Sequence, residues 1–317
     1  MQPLKIGTRE SELAVWQAKQ VQTLLKQNSV TSELIFISSE GDVDLVTPLY
    51  EMGVQGIFTK TLDAALLNRR IDIAVHSMKD VPTQLSQGIK QAAVLQRGSY
   101  KDLLVFKDKS VIDRWHLEAD TMNSPLGDGG IVATSSIRRK AQWLHRYPNH
   151  TIENLRGNIN TRLRKLKDGQ WNAAIFAAAG LERINLRPEN SIELDWMLPA
   201  PAQGAIVVVC RENDESIFKI CRAFNDKHTE LCTKIERDFL RKLIGGCSTP
   251  ISALAEVVND KIFFKGNICS ADGKQKIDVN KEASIKDCNE TGTVAAEELL
   301  TQPAVQAIVS EIQNAKK

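Results

Sequence analysis

Three short apolar, β-branched runs near the start of the chain, at residues 4–9, 33–38 and 71–75, are separated by two stretches of helical periodicity. In the first stretch Ala14, Ala18, Val21 and Leu25 fall on one face of a helix that runs to about Gln27, with Thr8 or Ser11 as its cap. In the second, residues 59–68, Leu62, Leu66 and Leu67 are expected to point inward. A βαβαβ order predicts an α/β fold with a parallel sheet covered by helices. The third strand breaks abruptly into His76-Ser77-Met78-Lys79-Asp80-Val81-Pro82. Buried parallel strands end this way, and open α/β sheets bind ligands at that edge. An aspartate beside a lysine there can hold a proton near a substrate amine or face a developing cation; the plainer reading is a solvated loop. Arg9 sits between a strand end and a helix start, in reach of an anion.

At 317 residues the chain has room for two or three domains. Another strand is expected at 101–106, followed by a polar, irregular segment at 107–128 whose start marks a domain crossing. A second α/β unit follows: a strand at 130–134, a helix at 137–144 capped by Ser135 or Ser136, a strand at 151–155, a turn at Arg156-Gly157-Asn158 leading into a helix, and a strand at 173–177. Pro199 and Pro201 mark a second crossing, and the β-branched strand after them is placed to return to the first unit. A long amphipathic helix at 225–243 ends in Gly245-Gly246-Cys247-Ser248-Thr249-Pro250. Two strands around a hairpin at 271–274 and a final helix from about Thr293 complete a small α+β unit. The division expected is 1–105 with 201–223, then 106–200, then 224–317.

Charge is concentrated in one place. Residues 131–170 hold nine Lys or Arg against two acids, although the whole chain carries only +2. Arg138, Arg139 and Arg156 lie at or near helix starts, where free N–H groups and guanidinium groups together trap anions. Lys140, Arg146, Arg164, Lys165 and Lys167 read as a solvated face. A nucleic-acid surface would need stacking aromatics, and the stretch offers only Trp143, at core spacing, and Tyr147. A pocket for a small polyanion is the better reading, without nucleic acid. No apolar run is long enough to span a bilayer and no leader is evident, so the expected setting is the cytoplasm, without membrane. The six cysteines have no metal-site spacing; no metal is expected, and most should be reduced and buried.

Assembled, these segments resemble the porphobilinogen deaminase (hydroxymethylbilane synthase) family over essentially the whole chain. The resemblance rests on Gly7-Thr8-Arg9-Glu10-Ser11, Val75-His76-Ser77-Met78-Lys79-Asp80-Val81-Pro82 and Ala133-Thr134-Ser135-Ser136-Ile137-Arg138-Arg139. Leu155-Arg156-Gly157-Asn158 with Thr161-Arg162, Ala179-Gly180-Leu181, Gln203-Gly204-Ala205 and Gly245-Gly246-Cys247 complete it. It implies two periplasmic-binding-protein-like α/β lobes plus a small C-terminal α+β domain, in a monomer. It implies a transferase that joins four porphobilinogen molecules head to tail, with loss of ammonia, on a dipyrromethane cofactor held by a thioether to Cys247. Asp80 is then the catalytic acid. Arg9, Lys79, Arg138, Arg139, Arg156 and Arg162 would neutralise the carboxylates of the growing chain, with Ser11, Ser77, Thr134 and Ser136 adding hydrogen bonds. Gly157, Ala177 and Gln203 fall at further binding positions, and Phe58 at an aromatic position near the site.

Two departures from the family pattern stand out. Glu51 and Gln55 replace lysines in the glycine-bearing loop at 41–56, and Pro201-Ala202 replaces the usual Val-Gly before Gln203. Two other functions share parts of the pattern. A non-catalytic two-lobed ligand binder would need neither Asp80 nor Cys247, and an RNA-binding protein would show steep salt dependence.

Overall fold

The computed structural model describes residues 2–38, 59–108, 110–115, 129–246 and 249–314. Strands β1 (Leu4–Thr8), β2 (Ser32–Phe36) and β3 (Ile73–Ser77) are linked through helices α1 (Glu12–Gln27) and α2 (Lys60–Leu67). A single 3-10 turn, Met78–Asp80, follows β3 and leads to β4 (Ile89–Val94). Next come β5 (Asp102–Phe106), α3 (Ser110–Trp115), β6 (Ile131–Ala133), α4 (Ile137–Arg146), β7 (Thr151–Glu153) and α5 (Ile159–Asp168). Strand β8 (Ala173–Ala177), α6 (Ala178–Arg183), β9 (Ser191–Glu193), β10 (Ile206–Arg211) and α7 (Glu215–Arg222) continue the chain. The last unit holds α8 (Lys227–Lys242), β11 (Ile251–Val258), β12 (Lys261–Cys269), β13 (Lys276–Ser284), α9 (Thr291–Leu300) and α10 (Pro303–Asn314).

Two five-stranded sheets form the two α/β lobes, with orders β2-β1-β3-β10-β4 and β7-β6-β8-β5-β9. In each, four strands run in one direction and one runs against them: β10 against β3 and β4, β5 against β8 and β9. The sheets are therefore mixed rather than wholly parallel, because each antiparallel strand has just crossed from the other lobe. Ile206–Arg211 does return to the first sheet as expected, and Ile206 through Cys210 are all buried. The expected boundary at 105/106 is corrected. Asp102–Phe106 pairs with β8 in the second sheet, so the first crossing lies before Asp102. A wholly buried run suits the middle of either sheet, so its composition did not say which.

Local reasons for the elements are mostly those the sequence offers. Helix α1 buries Ala18, Val21 and Leu25. Helix α2 buries Leu62 and Leu66, but Leu67, one step round the helix, is 45% exposed rather than inward. Ser136 caps α4 by accepting from Arg139 N, and Asn158 caps α5 by accepting from Thr161 N; each such cap stabilises by about 1 kcal/mol. The polar segment after β5 contains α3, where Val111 and Trp115, one turn apart, pack into the second lobe's core.

The third unit is an antiparallel sheet, β11-β12-β13, packed on α8, α9 and α10. Its first strand, Ile251–Val258, joins the two strands of the expected hairpin. The expected single final helix is two, because Pro303, which lacks an N–H, begins a new helix after Leu300. The hairpin tip meets the second lobe: a Cβ added at Gly273 would lie 2.7 Å from Ala141 O and from His145 N of α4. Helix α8 meets the first lobe, as described below.

Candidate active site

The strand ends of the two lobes supply the site. On the first lobe, Arg9 and Ser11 follow β1, Ser77 ends β3, and Lys79 and Asp80 lie on the 3-10 turn behind it. Ser11 holds the N-cap position of α1 but makes no capping bond with its side chain. Arg9, Ser11, Ser77 and Asp80 line one cavity of about 80 Å³ together with Gln17 and His76. Gln17, only 2% exposed, donates from Nε2 to Ser77 Oγ at 2.8 Å, which leaves the serine proton available to another acceptor. Sequence reasoning did not single out Gln17; an amide on the apolar face of α1 was the signal. His76 lines the same cavity and is buried. Burial and then the charge of Arg9 push its pKa down to about 4, so its imidazole is neutral.

The second lobe brings a different set. Thr134 Oγ1 accepts from Ser136 N at 3.2 Å, and these residues shape the turn between β6 and α4. Gly157 has φ +111°, and a Cβ there would come within 2.7 Å of Thr161 Cγ2, so a side chain is excluded on two counts. Arg162 Nε donates to the Gly157 carbonyl at 2.8 Å. Burial first, then repulsion from Arg139 and Arg156, lowers the Arg162 pKa to about 10, while Asp80 on the opposite lobe acts against the shift. Arg156 is buried nearby, and Ala177 ends β8 opposite Asp102.

Arg138 and Arg139, expected to neutralise ligand carboxylates, each bind a buried carboxylate. Arg138 Nη2 donates to Asp102 Oδ2 at 2.8 Å and Nη1 to the Leu198 carbonyl at 2.7 Å. Arg139 donates from Nε and Nη2 to Asp102 Oδ1 at 3.1 and 2.7 Å, and from Nη1 to the Ile175 carbonyl at 3.0 Å. Their side chains are 5% and 7% exposed and that of Asp102 is fully buried. Burial alone would raise the Asp102 carboxyl, but the two guanidinium groups and the Gln203 amide outweigh it and hold the group well below the usual carboxylate range. Asp102 is a second residue that the sequence does not single out. Its only mark is a carboxylate opening an otherwise apolar strand, and such a group needs buried partners.

Gln203 joins this cluster to the Met78–Asp80 turn. Its Nε2 donates to Asp102 Oδ1 at 2.9 Å and to the Tyr100 carbonyl at 2.8 Å, while its Oε1 accepts from Lys79 Nζ at 3.3 Å. Burial, with Arg139 second, lowers the Lys79 pKa to about 8, against the opposing pull of Asp80 and Asp102. The adjoining backbone is fixed: Ala202 adopts φ +62° and its N–H donates to Glu236 Oε2 at 2.6 Å. Glu236 also receives Arg97 Nη1 at 2.6 Å, and Arg97 Nε donates to the Gln203 carbonyl at 2.8 Å.

Cys247 lies outside the described residues, as do Phe58, Glu51, Gln55 and the 41–56 loop. Gly245, Gly246 and Thr249, near Cys247 in the chain, are held by hydrogen bonds. Gly245 N donates to the Leu240 carbonyl at 2.9 Å, and Thr249 Oγ1 donates to the Gly246 carbonyl at 2.7 Å. The five described cysteines are unpaired and buried. Trp143 is fully buried within an aromatic cluster with Trp115, Tyr147 and Trp196, which removes it as a base-stacking platform. Among the described residues no helix is long and apolar enough to cross a membrane, and no group of three or more His, Cys, Asp or Glu is placed to hold a metal.

Comparison with known proteins adds the following. Residues 4–219 match the family model described as "Porphobilinogen deaminase, dipyromethane cofactor binding domain", and residues 230–301 match "Porphobilinogen deaminase, C-terminal domain". A porphobilinogen deaminase of Campylobacter hominis is 38% identical over 314 residues, covering 97% of this chain and 98% of the relative. Among solved structures, the methionine-binding protein MetQ aligns with 72% of this chain and 91% of its own at 15% identity and a TM-score of 0.44. The VFT2 domain of Bordetella pertussis BvgS aligns with 69% and 84% at 14% identity and a TM-score of 0.41.

Proposed function

The chain belongs to the porphobilinogen deaminase family, and from that premise we propose how its own residues carry the reaction. The enzyme joins porphobilinogen units head to tail, losing ammonia, onto a dipyrromethane primer and releases hydroxymethylbilane for tetrapyrrole synthesis. Its class is transferase.

The donor set fits the cofactor. Each pyrrole ring carries two carboxylates, and the cleft offers Arg9 and Lys79 from one lobe and Arg156 and Arg162 from the other. Bound, the dipyrromethane supplies the pyrrole carbon on which the product is built. Cys247 is its attachment point, since a thiolate is the strongest nucleophile the chain can offer. Gly245 and Thr249, near it in the chain, are held by hydrogen bonds. Ser11, Ser77, Thr134 and Ser136 give neutral hydrogen bonds to carboxylates, and Gly157 leaves room for a ligand beside the backbone. Arg138 and Arg139 act by holding Asp102, which with Gln203 sets the position of Lys79. Ala177 ends the strand that frames Asp102.

Asp80 delivers a proton to the amine of porphobilinogen as it departs. The carboxylate it becomes then faces the pyrrole nitrogen and the cation left on the substrate. The observation that carries this reading is geometric: Asp80, next to Lys79 on the turn after β3, lines one cavity with Arg9, Ser11 and Ser77. We divide the chain into residues 1–101 with 206–223, residues 102–205, and residues 224–317, a division that the strand pairings support. The protein works as a monomer in the cytoplasm, a setting that its unpaired thiols suit. Porphobilinogen consumption by Asp80→Ala is the test. Turnover should fall by about 10²–10⁴ with the cofactor still attached, and near-normal product formation would remove Asp80 from the role.

A further inference from the structure

Helix α8 carries two adjacent residues that reach out of the third unit in different directions. Glu236 binds Arg97 and the Ala202 N–H at the crossing between lobes. Arg237 reaches the catalytic turn itself. Its Nη1 donates to the Val81 carbonyl at 2.9 Å and to the Met78 carbonyl at 3.3 Å, and its Nη2 donates to the Pro82 carbonyl at 2.5 Å. All three acceptors flank Lys79 and Asp80 in the chain.

This placement has a physical reason. A one-turn 3-10 helix leaves its last carbonyls without partners inside the helix. At the amino side the turn Met78–Asp80 is tied to the first sheet, Met78 N donating to the Ala205 carbonyl at 3.0 Å. At the carboxyl side it closes through Val81 N to the Met78 carbonyl at 3.2 Å. Pro82 has no N–H to contribute. A guanidinium presents its donors as a rigid planar fork, so three carbonyls bound to one fork are fixed relative to one another; a lysine ammonium is a point charge on a flexible stem and cannot do the same. Arg237 therefore caps the turn from another domain. The same helix ends at Lys242, five residues before the cofactor cysteine in the chain.

We propose that Arg237 is a positioning residue: it clamps the Lys79–Asp80 turn and fixes the catalytic carboxylate relative to the helix that precedes the cofactor loop. The proposal rests on the reading of Asp80 given above. Arg237 also lines a cavity of about 280 Å³ beside the turn, together with Met78, Val81 and Leu85. Loss of the fork leaves the turn space to move into that cavity. A displacement of about 1 Å at a reacting group is enough to cost about 10²-fold in rate.

The test uses the holoenzyme. Arg237→Met keeps most of the stem and removes the fork; Arg237→Lys keeps the charge. Arg241→Met is the control: Arg241 lies on the same helix and cavity rim and pairs with Asp238, away from the turn. Cofactor loading is read by intact mass, and kcat and KM are then measured on loaded protein. The proposal expects kcat of Arg237→Met down by at least about tenfold with KM within about twofold. Arg237→Lys should fall between it and wild type, and Arg241→Met should be unchanged. Wild-type kcat in loaded Arg237→Met overturns the proposal, as does a rise in KM with kcat unchanged. If Arg237→Met fails to fold or load, Arg237→Lys decides: wild-type kcat overturns the proposal, and a lower kcat at constant KM supports it. Asp80→Ala, run in parallel, keeps the two claims apart. Full turnover in that variant defeats the reading of Asp80, whereas an inactive Asp80→Ala beside a fully active Arg237→Met defeats only the clamp.

Discussion

Asp102→Asn tests the buried cluster at the heart of the second lobe. The substitution keeps the shape of the side chain and removes the one charge that balances Arg138 and Arg139. Three guanidinium N–H bonds and the Gln203 amide end on that carboxylate. An asparagine amide has a single acceptor oxygen, so it points an NH₂ group at donors it cannot satisfy. Breaking a buried pair from one side costs about 3–5 kcal/mol, because the partner charge stays buried and uncompensated. At about 2–4 °C per kcal/mol for domains of 150–250 residues, the apparent Tm should fall by roughly 6–20 °C. Differential scanning calorimetry of the holoenzyme reads this directly. A second arm checks the cause: Arg138→Met removes one of the stranded charges, so the double variant Asp102→Asn/Arg138→Met should lose at least about 1 kcal/mol less than the sum of the singles. A Tm within about 2 °C of wild type, or strict additivity, would refute the argument that Asp102 exists to hold these arginines.

Two further outcomes are expected. In the cofactor-free Cys247→Ser protein, Lys79 should titrate near 8 by NMR, and bound carboxylates should raise that value; titration near the ordinary 10.5 would mean that the ammonium is not buried. Because its pKa is lower folded than unfolded, Lys79 destabilises the fold fully below about pH 8, and the penalty eases as pH rises from about 8 towards 10.5. Ala202→Gly should stabilise by about 0.5–1 kcal/mol in urea unfolding: an alanine in the left-handed region costs about 1–2 kcal/mol, part of which is returned by the extra freedom of glycine in the unfolded chain. A loss of stability there would show that the Ala202 methyl group contributes more packing than strain.

Much of the lobe architecture is legible in the sequence because its signals are local. The periodicity of α1, the caps at Ser136 and Asn158, and the strand ending at Ser77 each depend on neighbours a few residues away. The membership of Asp102–Phe106 in the second sheet depends on pairing with Ala173–Ala177, and no local pattern encodes that choice. The site follows the same rule. Arg9, Ser77 and Asp80 line one cavity because each stands at or just beyond the end of an adjacent strand. Arg138 and Arg139 look alike from sequence, as cations at a helix start, but the carboxylate that occupies them lies on a distant strand. Gln17 and Arg237 were passed over because a polar residue on a helix says nothing of what it meets across a domain boundary. Cys247 alone, in a glycine-flanked loop, carries no local sign of a cofactor; only the resemblance of the whole chain points to it.

The most direct test of the account is the intact mass of the purified protein, with a peptide map around Cys247. The account predicts an added mass equal to two deaminated porphobilinogen units, localised to the peptide containing Cys247 and lost in Cys247→Ser. An unmodified mass that persists after incubation with porphobilinogen would contradict it, leaving an anion-binding cleft with no primer to extend.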